Sequence, residues 1–210
     1  YNEHYPGIGT MIPWNSIDGA LLDRVESVQY LSLPQVKICP TILDYVTRDV
    51  MYHLVSGRPH NYIRERINKH ILWDLSNKRF WEGKVINTKF LGQNIWTGEA
   101  LLKHIENKGI PKKNNEQGIQ LEHTNERIYY TDQLQGLNTK DPDLYSTIKT
   151  LLSTTLCVVV TPKFHRLLPS GITDPGDPWL RYRPLRPQLF WIDWHKGHQW
   201  SIVNIRRIII

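Results

Sequence analysis

Apolar residues recur at helical spacing in three segments of the N-terminal half. The stripes are Leu43, Val46, Val50 and Leu54, then Ile63, Ile67 and Ile71, and finally Leu101, Leu102 and Ile105. Steps of three and four residues place such side chains on one face of an α-helix. We therefore predict three amphipathic helices, which span Pro40 to Gly57, Pro59 to about Leu75, and Thr97 to Asn107.

The C-terminal half combines short apolar runs with one further helical stripe. The runs predict strands at Gly118–Leu121, Leu156–Val160, Gln188–Trp194 and Gln199–Ile205. The stripe predicts a helix within Pro142–Leu152. Thr161-Pro162 then predicts the start of another helix, because threonine caps a helix well and proline suits its first position.

Together these elements predict an α+β protein with C-terminal antiparallel strands. We expect a mostly helical part at residues 1–110 and a mixed part at residues 118–210, with a polar connection at 111–117. The boundary is soft, so a single domain is the alternative. No signal peptide or membrane-spanning run is recognisable, and the two cysteines, Cys39 and Cys157, lack zinc-knuckle spacing. We therefore expect a cytoplasmic protein without a membrane partner.

The formal net charge of +6 favours a polyanionic partner such as DNA, and RNA is not excluded. The densest basic stretch interleaves cations with aromatic side chains, a combination that suits phosphate contact and base stacking. Its candidate nucleic-acid contacts are Arg64, Arg66, Lys69, Lys78 and Arg79. The alternative interpretation is a solvated helix face over an aromatic core.

Three short motifs carry a family resemblance. Leu121-Glu122-His123 ends the first predicted strand of the C-terminal part, and Thr-Pro-Lys-Phe-His-Arg-Leu follows the second strand, with His165 one turn into the helix. Asp177–Tyr182 reads Asp-Pro-Trp-Leu-Arg-Tyr. The stretch Gly118–Tyr182 resembles the ββα-metal, or HNH, nuclease superfamily, which includes restriction-type and phage-type endonucleases.

The resemblance implies a metal-dependent endonuclease that hydrolyses phosphodiester bonds in DNA. His123 would be the general base, while Glu122 and His165 would hold one Mg²⁺ or Mn²⁺, with Zn²⁺ as a third option. Arg166 or Arg181 would bind a phosphate oxygen. The helical half is large enough to add sequence recognition.

The asparagine that orients the base in this family has no clear match. Asn138 and Asn125 are candidates, and a backbone carbonyl is the alternative. The gap between His123 and His165 is also longer than in compact members, and we expect it to hold the inserted helix.

Other interpretations stay open from the sequence. The chain could be a non-catalytic nucleic-acid-binding protein, such as a ribonucleoprotein subunit, or a DNA-processing enzyme that needs no metal. A homodimer is plausible by analogy with one-site enzymes that cut both strands. His195 and His198, near Asp193, could form a second metal site, although they more simply flank a turn at Lys196-Gly197.

Overall fold

A computed structural model describes residues 11–33, 38–81, 84–87, 90–107, 118–174, 176–196 and 200–210. The strands are β1 (Ser27–Gln29), β2 (Lys78–Trp81), β3 (Lys84–Asn87), β4 (Ile95–Thr97), β5 (Gln120–His123), β6 (Cys157–Val160), β7 (Leu189–Lys196) and β8 (Trp200–Ile209). Six strands form one mixed sheet in the order β1-β8-β7-β4-β6-β5. β2 and β3 pair separately as an antiparallel hairpin. The predicted α+β class is confirmed.

The helices are α1 (Gly19–Arg24), α2 (Pro40–Val55), α3 (His60–Arg66), α4 (Leu72–Asn77), α5 (Gly98–Glu106), α6 (Arg127–Gln135), α7 (Leu144–Ser153) and α8 (Pro162–Leu167). A π-helical turn, Ile67–Ile71, joins α3 to α4. α2, α5, α7 and α8 match their predicted positions. The helix predicted from Pro59 also exists, but the π turn interrupts it. Within the described residues, no helix is both long and apolar enough to cross a membrane.

Two stretches of chain separated by residues 111–117 build the same core. β4 lies between β6 and β7 in the sheet. A helical cluster likewise joins the buried stripes of α2 and of the π turn with those of α6 and α7, for example Val50, Ile67, Tyr130 and Ile148. Sheet and helical core both cross the soft boundary, which favours the single-domain alternative. Residues 111–117 themselves lie outside the described residues.

The segment β5-β6-α8 has the strand–strand–helix layout that the motifs predict. β5 and β6 are antiparallel, with Glu122 opposite Val158. Thr161 caps α8 by accepting a hydrogen bond from the backbone N–H of Phe164 at 3.1 Å, and Pro162 occupies the first turn. Glu122 and His123 lie within β5 rather than after it. Because successive strand residues point to opposite faces, the two side chains diverge.

His104 on α5 is a buried titratable group remote from these motifs. It is 1% exposed, and its ring lies 5.2 Å from the Trp14 ring and 5.4 Å from the Trp96 ring. Neither ring nitrogen has a hydrogen-bond partner among the described residues. Burial lowers the pKa of His104 from 6.5 to about 4, because the charged imidazolium cannot be hydrated there.

His104 should therefore make the fold sensitive to acid. Since its pKa is lower in the folded than in the unfolded chain, its contribution to stability is complete above pH 6.5 and is lost as the pH falls toward 4. Between pH 7 and pH 5 we expect His104→Phe to lose about 2 kcal/mol less unfolding free energy than the wild type. Urea unfolding at both pH values measures this difference. An equal pH dependence in both proteins would contradict it, and exposed His60→Phe is the control.

Candidate active site

A pocket of about 530 Å³ lies between the β5-α8 unit and the helical layer. Its lining combines Glu122, His123, His165 and Arg181 with four residues from the helices, which are Asn68, Trp73, Glu126 and Arg127. A second hollow, of about 480 Å³ against α2, is lined by Arg48, Met51, Tyr52, Val55 and Tyr145. It lacks a histidine or carboxylate lining, so the chemistry of the side chains favours the first pocket.

Glu122 and His165 meet in this pocket. The Nδ1 atom of His165 lies 2.7 Å from Oε2 of Glu122. The Glu122 side chain is 13% exposed and that of His165 is 45% exposed. The capped start of α8 thus brings its histidine onto the carboxylate of the neighbouring sheet edge, joining residues 43 positions apart.

Arg181 holds the other oxygen of Glu122. Its Nη1 donates to Glu122 Oε1 at 3.0 Å and to the carbonyl of His123 at 3.2 Å, and its Nε donates to the carbonyl of Pro169 at 2.8 Å. Nη2 lies 3.5 Å from Oε1 of Glu126. The side chain is only 5% exposed. These contacts count against the predicted role of Arg181 as a phosphate ligand, because its guanidinium already faces protein acceptors.

His123 contributes little accessible surface to the pocket that it helps to line, because it is only 3% exposed. Its Nε2 lies 2.7 Å from Oγ of Ser76, whose hydroxyl donates to the carbonyl of Leu72 at 2.8 Å. That carbonyl can only accept, so the arrangement favours Nε2–H as donor to the serine. The edge of Trp73 contacts the ring, with centroids 5.3 Å apart.

The environment of His123 makes it a weak base. Burial, and to a lesser degree the nearby cations Arg127 and Arg181, lower its pKa from 6.5 to about 3, while a backbone hydrogen bond to Leu72 acts in the opposite direction. The imidazole is therefore neutral at pH 7 but binds a proton poorly. Both its burial and its pKa count against the predicted role as general base.

The donor atoms in the pocket suit an open metal site of two protein ligands. A carboxylate oxygen is a ligand for Mg²⁺, Mn²⁺ and Zn²⁺, whereas an imidazole nitrogen suits Zn²⁺ and other transition metals better than Mg²⁺, which usually keeps several waters. Arg181 occupies Oε1 of Glu122, and Oε2 contacts His165 Nδ1, so a metal held by these two atoms would replace their direct hydrogen bond. The described residues contain no group of three or more His, Cys, Asp or Glu side chains suited to a metal, so a closed zinc site finds no support in them.

Neither asparagine candidate contacts the His123 side chain in the hydrogen bonds of the described residues. Asn138 is exposed in the turn after α6, outside the pocket lining, and its Oδ1 accepts from the backbone of Lys140 at 3.1 Å. Asn125 is buried and accepts from the backbone of Asp174 at 3.3 Å. Ser76 is the side chain that contacts His123 instead.

Four of the predicted nucleic-acid contacts do not line the pocket, and each of the four has an acidic partner. The pairs are Arg64 with Asp132 at 2.8 Å, Arg66 with Asp49 at 3.8 Å, Lys69 with Glu65 at 2.8 Å, and Lys78 with Asp74 at 3.0 Å. The side chain of Arg79 lies outside the described residues. Arg166 is exposed on α8 and does not line the pocket.

The second metal site suggested for the C-terminal hairpin gains no support from Asp193. Its carboxylate accepts from Trp191 Nε1 at 2.7 Å and from Arg206 Nη2 at 2.9 Å. His198 and Gly197 lie outside the described residues.

Several pocket residues carry no motif that sequence reasoning could use. Asn68 and Trp73 come from the helical half, as does Ser76, which contacts His123 behind the pocket. Glu126 and Arg127 begin α6, a helix that the polar sequence did not predict. The hydrophobic stripe around Ile67 and Ile71 predicts the helix that carries the first three, but not which strand it packs against.

Comparison with known proteins found no matching family model, no similar curated protein and no similar solved structure.

Removing Arg181 should destabilise the protein. Arg181→Met leaves two half-buried carboxylates, Glu122 and Glu126, without their cation, and we expect the free energy of unfolding to fall by about 3 kcal/mol. Urea unfolding at pH 7 measures this change. Exposed Arg24→Met is the matched control, and equal midpoints for the two variants would contradict the prediction.

Proposed function

We propose that this protein is a metal-dependent endonuclease that hydrolyses phosphodiester bonds in DNA. The observation that carries the proposal is the contact of Glu122 with His165, 2.7 Å apart in a pocket beneath a strand–strand–helix unit. The sequence motifs predict these same two residues as the ligands of one metal ion. The net charge of +6 supports a nucleic-acid substrate.

Glu122, His165 and Arg181 have distinct roles in this proposal. Glu122 Oε2 and His165 Nδ1 would hold one Mg²⁺ or Mn²⁺, which when bound would stabilise the charge developing on the scissile phosphate and the leaving oxygen. Arg181 fixes the carboxylate of Glu122 by binding its second oxygen. This positioning matters because catalysis depends on ligands being held in place before the substrate arrives.

His123 takes a positioning role in the proposal rather than that of the base. Its side chain joins β5 to α4 through Ser76, and its carbonyl accepts from Arg181. A proton acceptor must reach solvent. Among the pocket side chains, His165 and Glu126 meet this condition better than His123, with exposures of 45% and 21%.

Loss of either proposed ligand should abolish cleavage. We expect Glu122→Gln and His165→Ala to cut supercoiled DNA at least roughly 100-fold more slowly than the wild type in Mg²⁺ or Mn²⁺. Titration calorimetry should show weaker Mn²⁺ binding for both variants. Conversion of supercoiled plasmid to nicked and linear forms gives the rate.

Glu65→Gln and His60→Ala are the matched controls, because both residues are exposed and neither lines the pocket. Cutting by the ligand variants at the control rate would exclude this site. Binding of DNA without cutting by the wild type would favour the non-catalytic nucleic-acid-binding alternative. Parallel assays on RNA show whether the substrate is DNA or RNA. The homodimer, the cytoplasmic location and sequence specificity stay predictions of the sequence.

A second candidate mechanism needs no metal, and the same hydrogen bond favours it. A carboxylate at Nδ1 orients an imidazole and stabilises its charged form, leaving Nε2 to act as the base. Nε2 of His165 would take a proton from water as its oxygen attacks phosphorus. It would then return that proton to the leaving oxygen as the phosphorus–oxygen bond breaks.

Chelation separates the two mechanisms. If His165 is the base, cutting should persist at the wild-type rate in EDTA and should disappear in His165→Ala with or without metal. If the pair holds a metal, EDTA should stop cutting and added Mn²⁺ should restore it. The plasmid assay in both conditions gives the answer, and cutting in EDTA that survives His165→Ala would contradict both mechanisms.

A further inference from the structure

The part of the pocket lining that the helices supply has features that the proposed chemistry does not use. It is built from Asn68 in the π turn, Trp73 in α4 and Arg127 at the start of α6. All three line the same pocket. A π turn inserted in an α-helix occurs frequently at functional sites, since it shifts side chains out of the regular helical register.

Arg127 is a half-buried cation held in a defined plane. Its guanidinium lies 4.6 Å from the centre of the Trp73 ring, and Nη1 donates to the backbone carbonyl of Asn68 at 2.9 Å. None of the ion pairs among the described residues involves Arg127. Its other N–H groups make no hydrogen bond among those residues either. Burial lowers the pKa of Arg127, while the nearby Glu122 carboxylate acts in the opposite direction.

Asn68 supplies an acceptor beside this cation. Its Oδ1 is buried and has no hydrogen-bond partner in the described part of the chain. Leaving a buried polar atom unpaired is costly. A ligand N–H or O–H group that donates to Oδ1 would therefore add the free energy of a hydrogen bond without breaking an existing one. The pair therefore offers donors for an anion from Arg127 and one acceptor for an N–H or O–H group.

We infer that Asn68, Trp73 and Arg127 form a nucleotide subsite next to the scissile phosphate. Arg127, braced on Trp73, binds the flanking phosphate through paired N–H groups. Asn68 accepts from a base amine or a sugar hydroxyl of the same nucleotide. The assignment of the ligand as a nucleotide rests on the proposed endonuclease function, but the subsite itself needs neither the metal nor cleavage.

Binding without cleavage tests the subsite. The probe is a fluorescein-labelled single-stranded deoxyoligonucleotide, followed by fluorescence anisotropy in EDTA. We expect Arg127→Gln to weaken binding roughly tenfold, and Asn68→Ala roughly threefold. Asn68→Ala keeps the backbone carbonyl that Arg127 uses, so its fold should be intact. Exposed Arg24→Gln removes the same charge from another surface and should bind like the wild type.

The outcomes separate the subsite from the proposed function. Wild-type affinity in both Arg127→Gln and Asn68→Ala would overturn the subsite, whatever the plasmid assay shows. Weakened binding in a protein that cuts nothing would retain the subsite and reject the endonuclease. If thermal unfolding shows Arg127→Gln to be unfolded, Asn68→Ala alone decides, and its wild-type affinity would overturn the inference.

Discussion

The buried guanidinium of Arg181 is the interaction on which the rest of the candidate site depends. A cation that is 5% exposed is costly unless acceptors surround it, and here they come from Glu122, Glu126 and two backbone carbonyls. These acceptors belong to separate stretches of chain: β5, the turn that follows it, and the loop after α8. One side chain thus holds the sheet edge, the start of α6 and the end of α8 together.

This arrangement sets the electrostatics of both neighbouring residues in β5. Glu122 is left with one oxygen for His165, because the other faces Arg181. His123 gives its carbonyl to Arg181, and its ring points away from Glu122 into a layer that cannot hydrate a charge. Alternation along one strand therefore explains why adjacent residues differ so much, one a partly solvated carboxylate and the other a neutral imidazole with a pKa of about 3.

Local signals in the sequence predicted the parts of the site that depend on local structure. Thr161-Pro162 marks the start of α8, so the position of His165 followed from capping and proline geometry. The structure also places His165 beside Glu122, the pair that the motif layout names as metal ligands. His123 was different, because its environment depends on Ser76 and Trp73. These lie in a helix whose packing against β5 has no signature in periodicity.

The same limitation explains why Arg181 was assigned to phosphate. An arginine near an acidic motif can bind a phosphate of the ligand or pair with carboxylates of the protein. Which of the two it does depends on whether carboxylates already surround it. Here Glu126 is one of the carboxylates that surround Arg181. It begins α6, a helix that the sequence pattern does not predict because it is only weakly amphipathic. Residue type therefore predicts the kinds of chemistry available in the pocket, while the burial of each side chain determines which of them that side chain can perform.

The helical half is part of the pocket and not a separate module beside it. Asn68, Trp73 and Ser76 lie on the helix formed by α3, the π turn and α4, and they face residues of the second half across the pocket or behind it. Three basic residues of this helix that the sequence predicts as DNA contacts, Arg64, Arg66 and Lys69, form ion pairs with acidic neighbours. Arg127, which forms no ion pair among the described residues, lies in the pocket lining instead. A ligand contact made by Asn68 or Trp73 is therefore made in the same pocket that holds Glu122 and His165. Two separate domains divided at residues 111–117 would not share a pocket in this way.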